Sequence, residues 1–289
     1  MLFLLPQMVA SGLMLGFVYA LVAVGLSLIW GVMDIINFAY GEFLMLGMYS
    51  TFWFFTLFRM DPLFSLPIQA MVVFLLGFVV YKLLIKRVVD VPGLSALLAT
   101  FGLRIFLRNL AQFLWTPDYR FINEAIVADR KIMLFDGMLI LGMPQLVAAL
   151  GSILMTLAVF YFIQKTRMGR AIQATSMDKD AARLMGIDTE KVYSLTFGIA
   201  GACVGVAAAL LASFYPIYPE AGSIYGLIAL VIVALGGFGN IKGALYSGVI
   251  IGLTESIGGF FLGAEFKYAL IFLIYLVVLQ FRPKGLFGW

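Results

Sequence analysis

Apolar runs of about 20 residues recur along the chain, separated by short polar connections. An α-helix needs about that length to cross the hydrocarbon core of a bilayer. Only helices and closed barrels satisfy their backbone groups there. Windows of apolar residues predict spans near 5–30, 38–58, 66–85, 93–115, 144–163, 192–214, 225–237, 243–259 and 266–281. The 225–237 run is too short to cross upright. The expected fold is therefore an all-α integral membrane protein, a polytopic bundle of about eight or nine elements that include short or broken helices. It is expected to be one membrane domain over residues 1–289, with no stretch left over for a soluble catalytic domain.

The opening run has no basic residue ahead of it and outlasts the apolar core of a secretory signal, so it reads as the first span. Composition agrees: 63% of residues are hydrophobic, 12% are charged and the mean hydropathy is +1.07. Soluble domains sit near about 45–50% apolar and about 25% charged. Cys203 is the single cysteine and histidine is absent. A disulfide framework, a multi-cysteine or His zinc site, a His proton relay and a Ser-His-Asp triad are excluded. Cys203 reads as packing, and no catalytic, metal or cofactor residue is expected.

The net charge of +4 follows the connections rather than one basic face, so it reports topology and not nucleic-acid binding. Lys82, Lys86 and Arg87 follow the third predicted span. Lys165, Arg167, Arg170, Lys179, Arg183 and Lys191 follow the fifth, and Arg282 and Lys284 lie in the tail. The positive-inside rule puts these in the cytoplasm. The alternate connections hold Arg59 with Asp61, the mixed-sign stretch from Asp118 to Asp136, and Glu220. With no charge before Asp34, the rule gives N-out and C-in, which needs an odd number of crossings such as nine.

The longest cytoplasmic connection, 165–191, carries helix signals. Ser176 is an N-cap candidate, Asp178 and Asp180 suit a first turn, Arg183 suits a last turn, and Gly186 suits a left-handed C-cap. A helix of about two to three turns is predicted, with Ala181, Leu184 and Met185 on one apolar face. Two readings are open: the face docks on a cytoplasmic partner, or it lies on the membrane surface or caps its own bundle. Energy supply favours docking. The chain has no phosphate loop, since the nearest string, Gly236 to Lys242, is followed by Gly243 and lacks the spacing. A transporter of this build must borrow ATP hydrolysis from another subunit.

The strings GLSLIWGVMDIINFAYGEFLMLGMY (25–49), GRAIQATSMDKDAARLMGI (169–187), VIVALGGFGNIKGALYSGVIIGLTES (231–256) and RPKGLFG (282–288) resemble the permeases of branched-chain amino acid ABC importers, in particular the shorter, H-type member. The resemblance covers nearly the whole chain, and four motifs in order are more specific than one. It implies a non-enzymatic transport subunit of a bacterial inner membrane. Its implied partners are a second related permease, two ATPase subunits that use ATP and Mg2+, and a periplasmic or lipid-anchored solute-binding protein. It also implies that Gly169, Arg170, Ala181, Ala182, Leu184, Met185 and Gly186 form the ATPase-coupling set. Family members commonly carry His where this chain has Tyr40, which bears on cargo if that side chain faces the pathway.

Pathway and gate candidates are Asn37, Tyr40, Glu42, Gly236, Gly237, Gly239 and Asn240. Ionisable groups at membrane depth are costly and face a bundle interior or water. Asp34 reads as solvated at an interface. Glu42 divides between a helix N-terminal anion and a role in shaping the pathway or an inter-subunit contact. Arg104 and Arg108, four apart, are expected to pair with Glu42 or Glu255. Gly12 with Gly16, and Gly198 with Ala202, read as close-packing pairs. The 236–240 cluster reads instead as a break lined by protein or water. Asn37 to Gly41 and Asn240 to Gly243 share an Asn-then-Gly pattern that hints at an internal repeat. The aromatic content fits belts at the interfaces. Rival functions are a permease for urea or short amides, an ion-coupled carrier using Asp34, Glu42 or Glu255, and a membrane scaffold.

Overall fold

The computed structural model describes residues 5–91, 94–122, 125–127, 130–134, 139–263 and 265–288. Gly93, where the fourth predicted span begins, and Asp136 lie outside the described residues. Eleven α-helices lie within them: α1 Leu5–Met33, α2 Tyr40–Phe58, α3 Pro62–Leu83, α4 Ser95–Trp115, α5 Met143–Lys165, α6 Arg167–Met177, α7 Lys179–Leu184, α8 Thr189–Ala212, α9 Ala221–Gly236, α10 Ile241–Leu262 and α11 Lys267–Phe281. Six of these are long and apolar enough to cross a membrane. With α2 (19 residues), α9 (16 residues) and α11 (15 residues), every predicted span has its helix. The protein is an all-α, multi-pass membrane bundle.

Helices α1 and α8 form its centre. α10 packs along α1, α3 packs along α8, and α2 and α9 lodge against these pairs. Lipid tails are as apolar as leucine, so close van der Waals approach has to hold membrane helices together. Glycine supplies it here. A Cβ on Gly12 would come within 2.9 Å of the Gly252 carbonyl oxygen, and one on Gly16 within 2.9 Å of Val249 Cα. The G-x-x-x-G pair foreseen on α1 therefore meets a second pair, Gly248 and Gly252, on α10. Against α3, the close positions of α8 are Gly198, Gly201 and Gly205. Gly198 was expected there, but Ala202 is replaced in that role by Gly201 and Gly205.

The connection between α4 and α5 holds a feature the sequence reading did not anticipate. β1 (Lys131–Leu134) pairs antiparallel with β2 (Leu139–Gly142). The side-chain amide of Gln7 on α1 clasps this hairpin, donating to the Ile140 carbonyl at 2.7 Å and accepting from its N–H at 2.8 Å. Four-residue strands are too short to show a period-two pattern against an apolar background.

Candidate functional site

The 165–191 connection folds as two helices rather than one. Thr166 closes α5 and caps α6, its Oγ1 accepting from Gly169 N–H at 2.9 Å. A Cβ on Gly169 would run into the Phe162 and Ile163 carbonyls, so Gly169 permits the tight α5–α6 corner. α6 sets Ile172 and Thr175 inward and runs through Ser176, whose Oγ donates to the Gln173 carbonyl at 2.8 Å. Ser176 is thus not the cap. Asp178 takes that role, with extended backbone and a carboxylate oxygen accepting from Asp180 and Ala181 N–H, each at 2.9 Å.

The far end of α7 follows the expectation. Gly186 has φ +80°, and its N–H donates to the Arg183 carbonyl while Ile187 N–H donates to that of Ala182, both at 3.0 Å. This is a Schellman closure. Asp90 anchors the segment, reaching Lys179 at 3.2 Å and Arg183 at 3.7 Å. The hydrogen bond to Asp90 holds the Lys179 ammonium above its usual pKa. Leu184 is 89% exposed, Met185 82% and Met177 88%, and Ala181 and Arg170 are exposed with them. Ala182, expected at the docking face, instead turns inward at 4% exposure, because position 182 carries the side of α7 that seats on the bundle.

The glycine cluster makes the foreseen break. α9 ends at Gly236, Gly237 (φ +96°) and Gly239 (φ +76°) turn the chain, and Asn240 caps α10 through Gly243 N–H at 3.0 Å. The tail folds back onto this turn: Leu286 N–H donates to the Leu235 carbonyl at 2.8 Å and Asn240 Nδ2 to that of Phe287 at 2.9 Å. The rings of Trp30 and Phe238 pack at a tilt of 31° with centroids 4.2 Å apart. Break, α1 C-terminus and α6 together line a vestibule of about 990 Å3, with Ser27, Asp34, Gln173, Ser176, Asn240 and Lys242 in its wall. The α6 helix and the break therefore share one cavity.

Inside the bundle, Glu42 is fully buried (0% exposed). Its Oε1 lies 3.6 Å from Arg104 Nε and accepts from Ser223 Oγ at 3.4 Å. Asn37 Oδ1 accepts from Ala39 N–H at 3.0 Å ahead of α2.

The family described as the branched-chain amino acid transport system permease component matches residues 8–279. The chain belongs to this permease family. It is 31% identical to a high-affinity branched-chain amino acid transport permease, BraD, of Pseudomonas aeruginosa, over 98% of this chain and 95% of that one. It is 33% identical to LivH of Escherichia coli, a permease of the same description, over 99% and 96%. The ribose import permease RbsC of Escherichia coli is 32% identical over 45% of this chain and 42% of its own length. No solved structure matches the chain.

Within this permease, Tyr40 faces the packed interior at 1% exposure. It is buried between α1 and α8, its hydroxyl donating to the Ala200 carbonyl at 3.0 Å beside Gly25. Tyr at this position thus packs in the core. Of the anticipated charge pairs, Arg104 meets Glu42. Glu255 meets neither arginine and takes Lys267, at 2.8 Å, and the Tyr19 hydroxyl, at 2.6 Å. That trio lies at the other end of α1 from the vestibule, where Glu255 and Lys267 border a pocket of about 220 Å3. Sequence reading missed Lys267; its signal is a single lysine opening the last apolar helix, next to a carboxylate near the end of the helix before.

Proposed function

We propose that this permease is the membrane-spanning half of an ATP-driven importer of branched-chain or other small hydrophobic amino acids. It pairs with a second related permease, takes its energy from two ATPase subunits that use ATP and Mg2+, and receives solute from a binding protein. The observation that carries the reading is the α6–α7 segment: rigidly capped at both ends, tied to Asp90, and presenting Met177, Leu184 and Met185 to solvent. Large apolar side chains held outward on a fixed frame mark an interface. Gly169 shapes the corner that aims the segment, and Gly186 closes it. Arg170 and Ala181 flank the apolar face, with Ala182 seating it. Motion delivered there reaches the Gly236, Gly237, Gly239 and Asn240 break through the vestibule they share, and Asn37 and Glu42 shape the path deeper in. The partial likeness to a ribose permease supports a scaffold whose cargo is set largely by the binding protein.

Purified permease, reconstituted with its partner permease, ATPases and binding protein, is expected to take up leucine only when ATP is supplied inside the coupled compartment. Uptake by the permease alone, driven by an ion gradient, would establish the carrier reading instead.

In this reading the permease sits in a bacterial inner membrane with its N-terminus outside and its C-terminus and α6–α7 in the cytoplasm. In a Cys203→Ser background, Met177→Cys is expected to react with an impermeant maleimide only from the cytoplasmic face. Tyr119→Cys, exposed in the connection after α4, is expected to react only from the opposite face. Labelling of both from one side contradicts the orientation.

A further inference from the structure

Polar side chains recur at every fourth position of α4: Thr100, Arg104, Arg108 and Gln112. Residues four apart share a helix face, and each of these reaches the surface formed by α2, α9 and the residues preceding them. Thr100 Oγ1 donates to the Ile36 carbonyl at 3.1 Å, and Arg104 pairs with Glu42 at 3.6 Å. Arg108 Nη1 donates to Ser223 Oγ at 3.4 Å, and Gln112 Nε2 to Glu220 Oε1 at 3.0 Å. Beyond this stripe α4 is lightly held: its other buried residues are Ala96, Leu107 and Ala111.

The middle of the seam is under-satisfied. Glu42 Oε2 and Asn37 Nδ2 are buried and have no hydrogen-bond partner. Charge-assisted bonds run about 2.7–2.9 Å when an ion pair is fully engaged, whereas the contacts of Glu42 are 3.4 and 3.6 Å long. Gly222 leaves open the space beside Glu42 Oε2, where a Cβ would approach to 2.6 Å. Next to it lies a void of about 10 Å3 bordered by Asn37, Phe38, Arg104, Ser223, Leu227 and Leu230. Arg104, Asn37 and an aliphatic-aromatic wall thus border one small gap, with Glu42 beside it at Gly222 and Arg108 reaching its Ser223 edge.

We infer that the seam between α4 and the α2–α9 pair is a transient binding site for an α-amino acid zwitterion, opened when α4 swings away. Glu42 with the Asn37 amide side chain faces the ammonium end, Arg104 and Arg108 take the carboxylate, and Phe38, Leu227 and Leu230 receive a branched aliphatic side chain. The zwitterion replaces the Arg104–Glu42 contact with two of its own, so neither buried charge is left unpaired as α4 moves. This inference rests on the importer reading above.

The test uses the whole importer in proteoliposomes, Cys203→Ser throughout, with Leu227→Cys as reporter. During ATP turnover, saturating leucine is expected to slow maleimide labelling of that cysteine at least about tenfold. 4-Methylpentanoate, which lacks the ammonium, and isopentylamine, which lacks the carboxylate, are expected to leave it unchanged. Glu42→Gln and Arg104→Gln are each expected to abolish protection by leucine; if Glu42→Gln fails to assemble, Arg108→Gln is read in the same way. Leucine uptake without protection, or equal protection by the two analogues, overturns the site and leaves the importer reading standing. Absence of any ATP-driven leucine uptake overturns both.

Discussion

Replacing Leu184 and Met185 together by Asp is expected to lower solute-stimulated ATP hydrolysis of the assembled importer by about 100-fold or more, with the permease still inserted and extractable at normal levels. Both side chains are more than four-fifths exposed, at 89% and 82%, so the chain itself loses no packing. At a partner interface the loss is twofold: the apolar burial of two anchors, about 1.5–3 kcal/mol each, and the desolvation of two carboxylates that find no partner. Together these exceed the roughly 2.7 kcal/mol that a 100-fold effect requires. The measurement is phosphate release with and without loaded binding protein. Unaltered stimulation in the double variant would remove α7 from the interface. Ala182→Asp offers the contrast, since it drives a charge into the seat of α7 on its own bundle. It is expected to reduce the folded yield rather than to uncouple a folded protein.

The second large effect lies far from any partner. Gly252→Leu on α10 is expected to prevent accumulation of folded permease, because its side chain would have to occupy space already taken by the α1 backbone at Gly12 and Gly16. Overpacking by a methylene or two costs about 1–3 kcal/mol when neighbours can yield; here the neighbour is main chain on a central helix, so the cost lies above that range. Gly102→Ala on α4 is the control. Nothing lies within 4 Å of the added Cβ, and replacing a mid-helix glycine by alanine is expected to stabilise by up to about 1 kcal/mol. Monodispersity after detergent extraction, followed by thermal unfolding, separates the two. A folded, monodisperse Gly252→Leu protein would contradict the close approach of α1 and α10.

Much of the architecture was legible because a bilayer demands uninterrupted apolar runs, and helix positions follow from that demand alone. The exceptions have specific causes. α2 falls short of the six long spans in hydropathy because it carries Tyr40, Glu42 and Tyr49, all three buried in the bundle. Its span was found all the same as an apolar window over 38–58. Ser176 and Asp178 are both cap residues by type. The choice between them depends on where α6 stops, at Met177, and residue type alone does not fix that. The Arg104–Glu42 pair was foreseeable because charges at membrane depth seek each other. The Glu255–Lys267 pair was missed because Glu255 was matched only with the arginines of α4, although Lys267 opens the next helix. Which way Tyr40 faces was not legible, because position in a motif does not fix side-chain direction; it packs against α1 and α8.

The tail that folds against Leu235 and Asn240 has a practical side. Its last contacts sit on the same glycine turn that lines the vestibule, so any chain continuing past Gly288, whether natural or added as a purification handle, starts from the rim of that cavity. A bulky reporter fused there without a spacer would pull on Asn240 and the start of α10. The connection after α4, at the other end of the bundle, offers an attachment point free of that leverage.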